Sequence, residues 1–390
     1  MSRPEDPDQS TANPTKTVAL LGAKLGITAF GGPVAHIAML RQEVVDRRQW
    51  MLSQHFLDLI GITNLIPGPN STEMVMHVGY ERAGRRGLVA AGLAFILPAA
   101  SITLAFAVAY ERYGETPSGE GLLYGIKPVI VAVVLQAVWG LGRTAVRKPV
   151  DLAVILAVAA LFISGISELL LLFGVGIGIP QTKAAICRMK GQLFASIIPL
   201  LLYGPLAAST TADGSVPYTA TRLFLQFLKI GALLYGSGYV LLAFLHSTFV
   251  DQYGWLTEAQ LIDAVAVGQV TPGPVFTTAT FVGYLVGGFP GAVLATVAIF
   301  LPSFVFVAVA NPLLPQIRTR MFLGELLDGI NLAAVGLMLG VTWRLGQEAV
   351  VDATTVALAA AALLLLAWKN VNSAVLLALG AFVGLITAAI

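Results

Sequence analysis

Two Pro-Gly-Pro triplets, Pro67-Gly68-Pro69 and Pro272-Gly273-Pro274, interrupt otherwise apolar stretches of this 390-residue chain. Neither proline has a backbone N–H, and the glycine reaches conformations closed to other residues, so no regular helix runs through such a triplet. Proline is well tolerated in the first turn of a helix. Each triplet is therefore expected to end one half-helix and open another, whose unpaired N–H groups and positive dipole end face the break. Asn70, Ser71 and Thr72 follow the first triplet, and Thr277 and Thr278 the second, adding amide and hydroxyl donors. Such a nest suits a small oxyanion held away from water. The competing reading is a kink that serves packing alone. Two triplets in register, both followed by hydroxyls, favour the nest.

Ionisable residues lie close by. Lys24 and Lys229 each precede a glycine-rich break by seven residues: Phe30-Gly31-Gly32-Pro33 in one case, Tyr235-Gly236-Ser237-Gly238 in the other. A cation at each position would neutralise an anion in transit; snorkelling to an interface explains a lysine there equally well. The breaks themselves either face the same cavity or give close helix packing through small residues. Glu73 and His77 stand four apart, so they share a helix face after the first triplet. They are either a proton-coupling pair or a surface pair near Arg82. His36, Asn64 and Gln269 are polar residues in apolar surroundings and are expected to line the same path, and Asp58 and Asp263 are matched acids available to the cations.

The elements that hold these residues follow from composition and repetition. A mean hydropathy of +0.82 and only 11% charged residues lie far from the roughly 25% charged content of a soluble domain. Continuous apolar runs of about 17 to 25 residues recur, the length of a membrane-crossing helix. A β-barrel would alternate apolar and polar residues instead. The expected fold is an all-α polytopic membrane protein, with roughly ten to twelve membrane segments by this length criterion. Sliding the chain by 205 positions brings Lys24, Trp50, Asp58 and Thr72 onto Lys229, Trp255, Asp263 and Thr277. After one deletion the offset is 204, and Gly84, Pro98, Gly125, Trp139 and Gly142 meet Gly288, Pro302, Gly329, Trp343 and Gly346. The chain is a tandem duplication. The expected organisation is a disordered tail at 1–15, a first repeat at 16–190, a connecting segment with an extra crossing at 191–220, and a second repeat at 221–390.

Charge orients the two halves oppositely. Loops of the first repeat carry Arg41, Arg47 and Arg48, then Arg82, Arg85 and Arg86, then Arg143, Arg147 and Lys148, while Glu111, Glu115 and Glu120 mark the loop between. In the second repeat the counterpart of the first basic loop holds Asp251 and Glu258 without Lys or Arg, and the third loop holds Arg318 and Arg320. Positive residues favour the cytoplasmic side, so this is the signature of an inverted-topology repeat with helices broken at the triplets, as in many secondary transporters. Two consecutive basic loops flank 53–80, which reads as a re-entrant hairpin with Pro-Gly-Pro at its tip; a full crossing is the alternative. The lone Cys187 excludes an internal disulfide. Nucleotide-binding loops, nucleophile elbows and zinc-site spacings do not occur, so an enzyme is not expected, nor a cofactor, metal or nucleic-acid partner.

The runs Phe30-Gly31-Gly32-Pro33-Val34-Ala35-His36, Asn64-Leu65-Ile66-Pro67-Gly68-Pro69-Asn70 and Val270-Thr271-Pro272-Gly273-Pro274 resemble the chromate ion transporter family, in its long-chain two-domain form, over about 16–390. The resemblance implies chromate efflux across the cytoplasmic membrane, chromate resistance, and sulfate as a similar oxyanion. Partners are then the oxyanion and membrane lipid, with a homo-oligomer as a further expectation. Expelling a dianion from a negative interior gains about 4.6 kcal/mol at 100 mV, a gradient on the order of a thousandfold. An inward sulfate carrier is the alternative within the same class; a non-transporting membrane scaffold is the alternative outside it.

Overall fold

The computed structural model describes residues 13–30, 32–64, 66–184, 217–235, 238–317, 321–369, 371 and 373–389. Most of the expected tail and connecting segment lies outside these residues. All described secondary structure is helical, as the polytopic reading requires.

The first repeat begins with α1 (Pro14–Thr28), opened by Pro14 at its first position and capped by the Asn13 side chain on Thr15 N–H. After a break, α2 (Gly32–Arg41) continues as a π turn, Gln42–Arg47. Then come α3 (Ser53–Thr63), the first triplet, and α4 (Asn70–Tyr113). α4 doubles back at Ala83-Gly84, where Gly84 takes φ 59°. A side chain on Gly79 or on Gly87 would strike the other's backbone carbonyl, so the two limbs touch backbone to backbone. α3 and the first limb of α4 form a hairpin whose free ends meet at His55 and Glu81, 3.5 Å apart, with Pro67-Gly68-Pro69 at the tip. α5 (Pro117–Ala145), α6 (Pro149–Ile163) and α7 (Glu168–Ala184) complete the repeat.

The second repeat reproduces the order: α8 (Ala220–Leu233), α9 (Leu241–Leu245) with its π turn His246–Gln252, α10 (Glu258–Val270), the second triplet, α11 (Thr278–Ile317), α12 (Met321–Ala349), α13 (Ala353–Lys369) and α14 (Ser373–Ala389). Gly288, the partner of Gly84, takes φ 61° at the same doubling back. The segments Asn70–Tyr113, Pro117–Ala145, Val275–Asn311 and Leu327–Ala349 are long and apolar enough to cross a membrane.

Inversion is visible where the repeats touch. α5 and α12 are counterparts, and a β carbon on Gly142 of α5 would meet Val335 at 3.8 Å, while one on Gly346 of α12 would meet Val131, also at 3.8 Å. Rising numbers on one helix therefore meet falling numbers on the other, so equivalent helices run antiparallel about a local two-fold axis. Small residues allow the closest approaches: Gly22 and Gly26 of α1 face the backbone of Ala91 and Phe95 in α4, leaving no room for a β carbon. Such contacts substitute for the hydrophobic driving force that lipid removes between helices. Trp139 and Trp343, matched across the repeats, are 68% and 60% exposed.

Candidate functional site

Each triplet is held by the other repeat. Gly68 N–H donates to the Leu234 carbonyl at 2.8 Å, and Gly273 N–H donates to the Ala29 carbonyl at 2.9 Å. Ala29 and Leu234 are themselves counterparts, each ending its repeat's first helix just before the glycine-rich break. Both hairpin tips thus seat on the breaks of the opposite half. The two glycines take φ values of 139° and 88°, a region that disfavours side chains. These N–H groups are committed to the inter-repeat bonds. Further on, Pro69 carbonyl accepts from Thr72 and Glu73 N–H, at 2.8 and 3.1 Å.

The two tips are unequal. Around the second, every residue from Thr271 to Thr280 is buried, and the hydroxyls of Thr277 and Thr278 donate to the carbonyls of Pro274 and Val275. Gln269 is buried too. The first tip is open on one side: Asn64 is exposed, its side chain accepting from Asn70 at 2.9 Å. Ser71 and Thr72 are buried, and the Thr72 hydroxyl makes no hydrogen bond.

One turn beyond the first tip sits a polar cluster. Glu73 and His77 are wholly buried, so the surface-pair reading does not hold. The His77 ring nitrogen Nδ1 lies 3.1 Å from the Asn311 side chain of α11. Neither Glu73 oxygen and not the Ser303 hydroxyl makes a hydrogen bond of good geometry, although both groups press on the same face of Gly68. In the second repeat Thr278 is the nearest match to Glu73 and Phe281 stands at the His77 position, while the first repeat has Ala99 and Ala107 where the second has Ser303 and Asn311. The cluster is built once, on one side of the two-fold. Ser303 and Asn311 escaped the sequence reading; both are polar residues in an apolar stretch where the other repeat has alanine.

The matched lysines also diverge. Lys24 Nζ is 2.6 Å from Glu43 Oε1, and Arg47 and Arg48 reach the same carboxylate at 2.8 and 3.3 Å. The Lys24 hydrogen bond, above all, holds Glu43 down at about 2 despite burial. Thr248 stands at the matching position in the second repeat, and Lys229 instead lines a pocket of about 570 Å³ with Arg344, Asp251, Glu168 and Ser247. His36 is buried with its ring edge-on to Phe95 at 5.9 Å. Gly32 opens α2 with φ 77°, followed by Pro33. Gly31 and Gly236 lie outside the described residues.

Beside that pocket His246 is buried between Asp251 (3.2 Å) and Glu258 (2.8 Å), and Arg344 also holds Asp251 at 3.1 Å. Burial lowers the imidazole pKa, but the two carboxylates outweigh it and raise it to about 9. A raised folded-state pKa stabilises fully below the ordinary 6.5 and ceases to do so as pH climbs through about 9. The detergent-solubilised protein should therefore lose on the order of 2 kcal/mol between about pH 7 and 10, after allowance for the half-exposed Asp251. Melting curves of His246→Gln should lack that slope; an unchanged slope would place the effect elsewhere.

A family profile described as chromate transporter matches residues 17–179 and again 221–385. The chain is 30% identical to a chromate transport protein of Cupriavidus metallidurans, over 99% of this chain and 98% of that one. It is 33% identical to a chromate transport protein of Pseudomonas aeruginosa, over 92% of this chain and 88% of that one. A transporter of Methanocaldococcus jannaschii described as uncharacterized is 29% identical over 82% of both chains. No solved structure matches.

Proposed function

The chain belongs to the chromate transporter family, and from that premise we propose that it exports chromate, and sulfate-like oxyanions, across the cytoplasmic membrane. The membrane potential drives the dianion outward, and resistance to chromate follows. The observation that carries this reading is the reciprocal seating of the two triplets, Gly68 on Leu234 and Gly273 on Ala29. It brings four broken helices together at the centre of an inverted repeat, the place where secondary transporters put their binding site.

The substrate path runs past the open first tip, where Asn64, Asn70, Ser71 and Thr72 offer donors. The glycine amides themselves belong to the inter-repeat bonds, so Gly68 and Gly273 shape the nest while side chains and the remaining N–H groups of the first turn of α4 address the anion. Lys229 and its pocket form the vestibule on the face opposite the basic loops, and Lys24 with Glu43 closes the equivalent position on the basic face. Glu73 is the proton-coupling residue. An ionised carboxylate without partners is costly away from water, so Glu73 takes up a proton while enclosed and releases it when the path opens. His77, fixed by Asn311, shares its helix face and relays that proton.

Purified protein in liposomes preloaded with unlabelled chromate should exchange it for labelled chromate, and external sulfate should compete. Exchange of an unrelated solute with none of chromate would remove the reading.

A further inference from the structure

A charged pair that none of the steps above uses crosses between the repeats. Lys127 stands about ten residues into α5, some 15 Å along the axis of a membrane-length helix. Its ammonium is 3.6 Å from Asp263 Oδ1 in α10, with side-chain exposures of 21% and 2%. Tyr110 of α4 donates its hydroxyl to Asp263 Oδ2 at 2.9 Å. Oδ1 itself makes no hydrogen bond, since 3.6 Å is beyond hydrogen-bond reach. The acid is matched in the first repeat by Asp58, but Asn331 and Leu314 stand where Lys127 and Tyr110 have their counterparts. Like the Glu73 cluster, this arrangement is built once.

An ion pair away from water contributes to stability only when its geometry is good and its remaining valences are satisfied. This pair is one hydrogen bond short, which makes it a poor strut and an easily exchanged partner. Both donors, the Lys127 ammonium and the Tyr110 hydroxyl, converge on a single acidic group. A tetrahedral oxyanion presents acceptors to two such donors at once, and its second charge gives it the advantage over a single carboxylate beside the same cation. Asp263 sits on the helix that leads directly into Pro272-Gly273-Pro274, so its release from Lys127 bears on the tip seated against Ala29.

We propose that Lys127 and Tyr110 form a binding station for the transported divalent oxyanion, and that Asp263 is the resting counter-ion which the oxyanion displaces. This rests on the reading of the chain as an oxyanion carrier.

Initial rates of chromate uptake into membrane vesicles test it, for wild type, Lys127→Arg, Lys127→Met, Asp263→Asn, Tyr110→Phe and the double variant Lys127→Met/Asp263→Asn, each normalised to inserted protein and compared by thermal melting. Lys127→Met should fall at least about tenfold, and Lys127→Arg should keep most of the rate. Asp263→Asn should lower the KM several-fold, because the competing anion is gone, whereas Tyr110→Phe should raise it. The double variant, free of uncompensated charge, should melt like wild type and still fail to transport. A double variant that transports at the wild-type rate would overturn the station and leave a purely structural pair. A KM raised by Asp263→Asn would do the same. Wild-type vesicles that take up neither chromate nor sulfate would overturn the oxyanion reading itself, and this inference with it.

Discussion

Replacing Gly68 by valine should abolish chromate uptake, with a fall of about a hundredfold or more, while the protein still reaches the membrane. Three costs coincide at this residue. Its φ of 139° is strained for any side chain, at about 1–3 kcal/mol. A β carbon would overlap the Glu73 carboxyl and come within 2.6 Å of the Ser303 hydroxyl. Any backbone shift that relieves the clash pulls on the N–H bond to Leu234, a bond whose loss costs about 1 kcal/mol and leaves a buried acceptor unpaired. At 1.4 kcal/mol per decade these reach the stated loss. Gly273→Ala should be tolerated less well than Gly68→Ala. The obstacles at 273 are the Ala99 methyl at 2.6 Å and the Gly26 carbonyl at 3.1 Å, part of a helix body, whereas those at 68 are side-chain ends that can turn aside. Uptake rates normalised to inserted protein decide both points, and a Gly68→Val protein with the wild-type rate would remove the first tip from the path.

Glu73→Gln should separate the two driving forces. Glutamine keeps the shape and burial of Glu73 but carries no exchangeable proton charge. Uptake into everted vesicles under an imposed interior-positive potential should continue at a rate within a few-fold of wild type. The further accumulation that an acid lumen adds, about tenfold per pH unit for each proton exchanged, should vanish. Asn311→Ala, which removes the partner of His77, should weaken the same component and leave the potential-driven one. If Glu73→Gln responds to the pH gradient as wild type does, the proton acceptor is another group.

Much of the architecture was legible because it is written locally or periodically. The triplets, the offsets of 205 and 204 and the reversal of loop charge each announce themselves in the chain. The hairpin with a Pro-Gly-Pro tip followed from two successive basic loops, and Glu73 and His77 could be placed on one face from their spacing alone. What stayed hidden depends on which helix meets which. Nothing local tells that Asn311 stands against His77, 234 positions away, or that Lys127 faces Asp263. Lys24 and Lys229 matched in sequence, yet the turn that brings Glu43 back to Lys24 carries threonine in the other repeat, so equal residues have unequal roles. The bonds that hold the triplet glycines, Gly68 on Leu234 and Gly273 on Ala29, go to carbonyls of the opposite repeat, which a sequence read one half at a time does not reveal. One signal was available and unused: a polar residue where the sister repeat has alanine, as at Ser303 and Asn311, marks the places where the duplicated halves have diverged.

Chromate uptake into everted vesicles holding this protein, with the potential set by an ion gradient at equal pH on both sides, tests the central claim most directly. An interior-positive potential should drive saturable uptake that sulfate inhibits, accumulating chromate on the order of a thousandfold at 100 mV for a dianion moving alone. Uptake that is indifferent to the potential, or driven only by an interior-negative one, would contradict an exporter that uses the membrane potential.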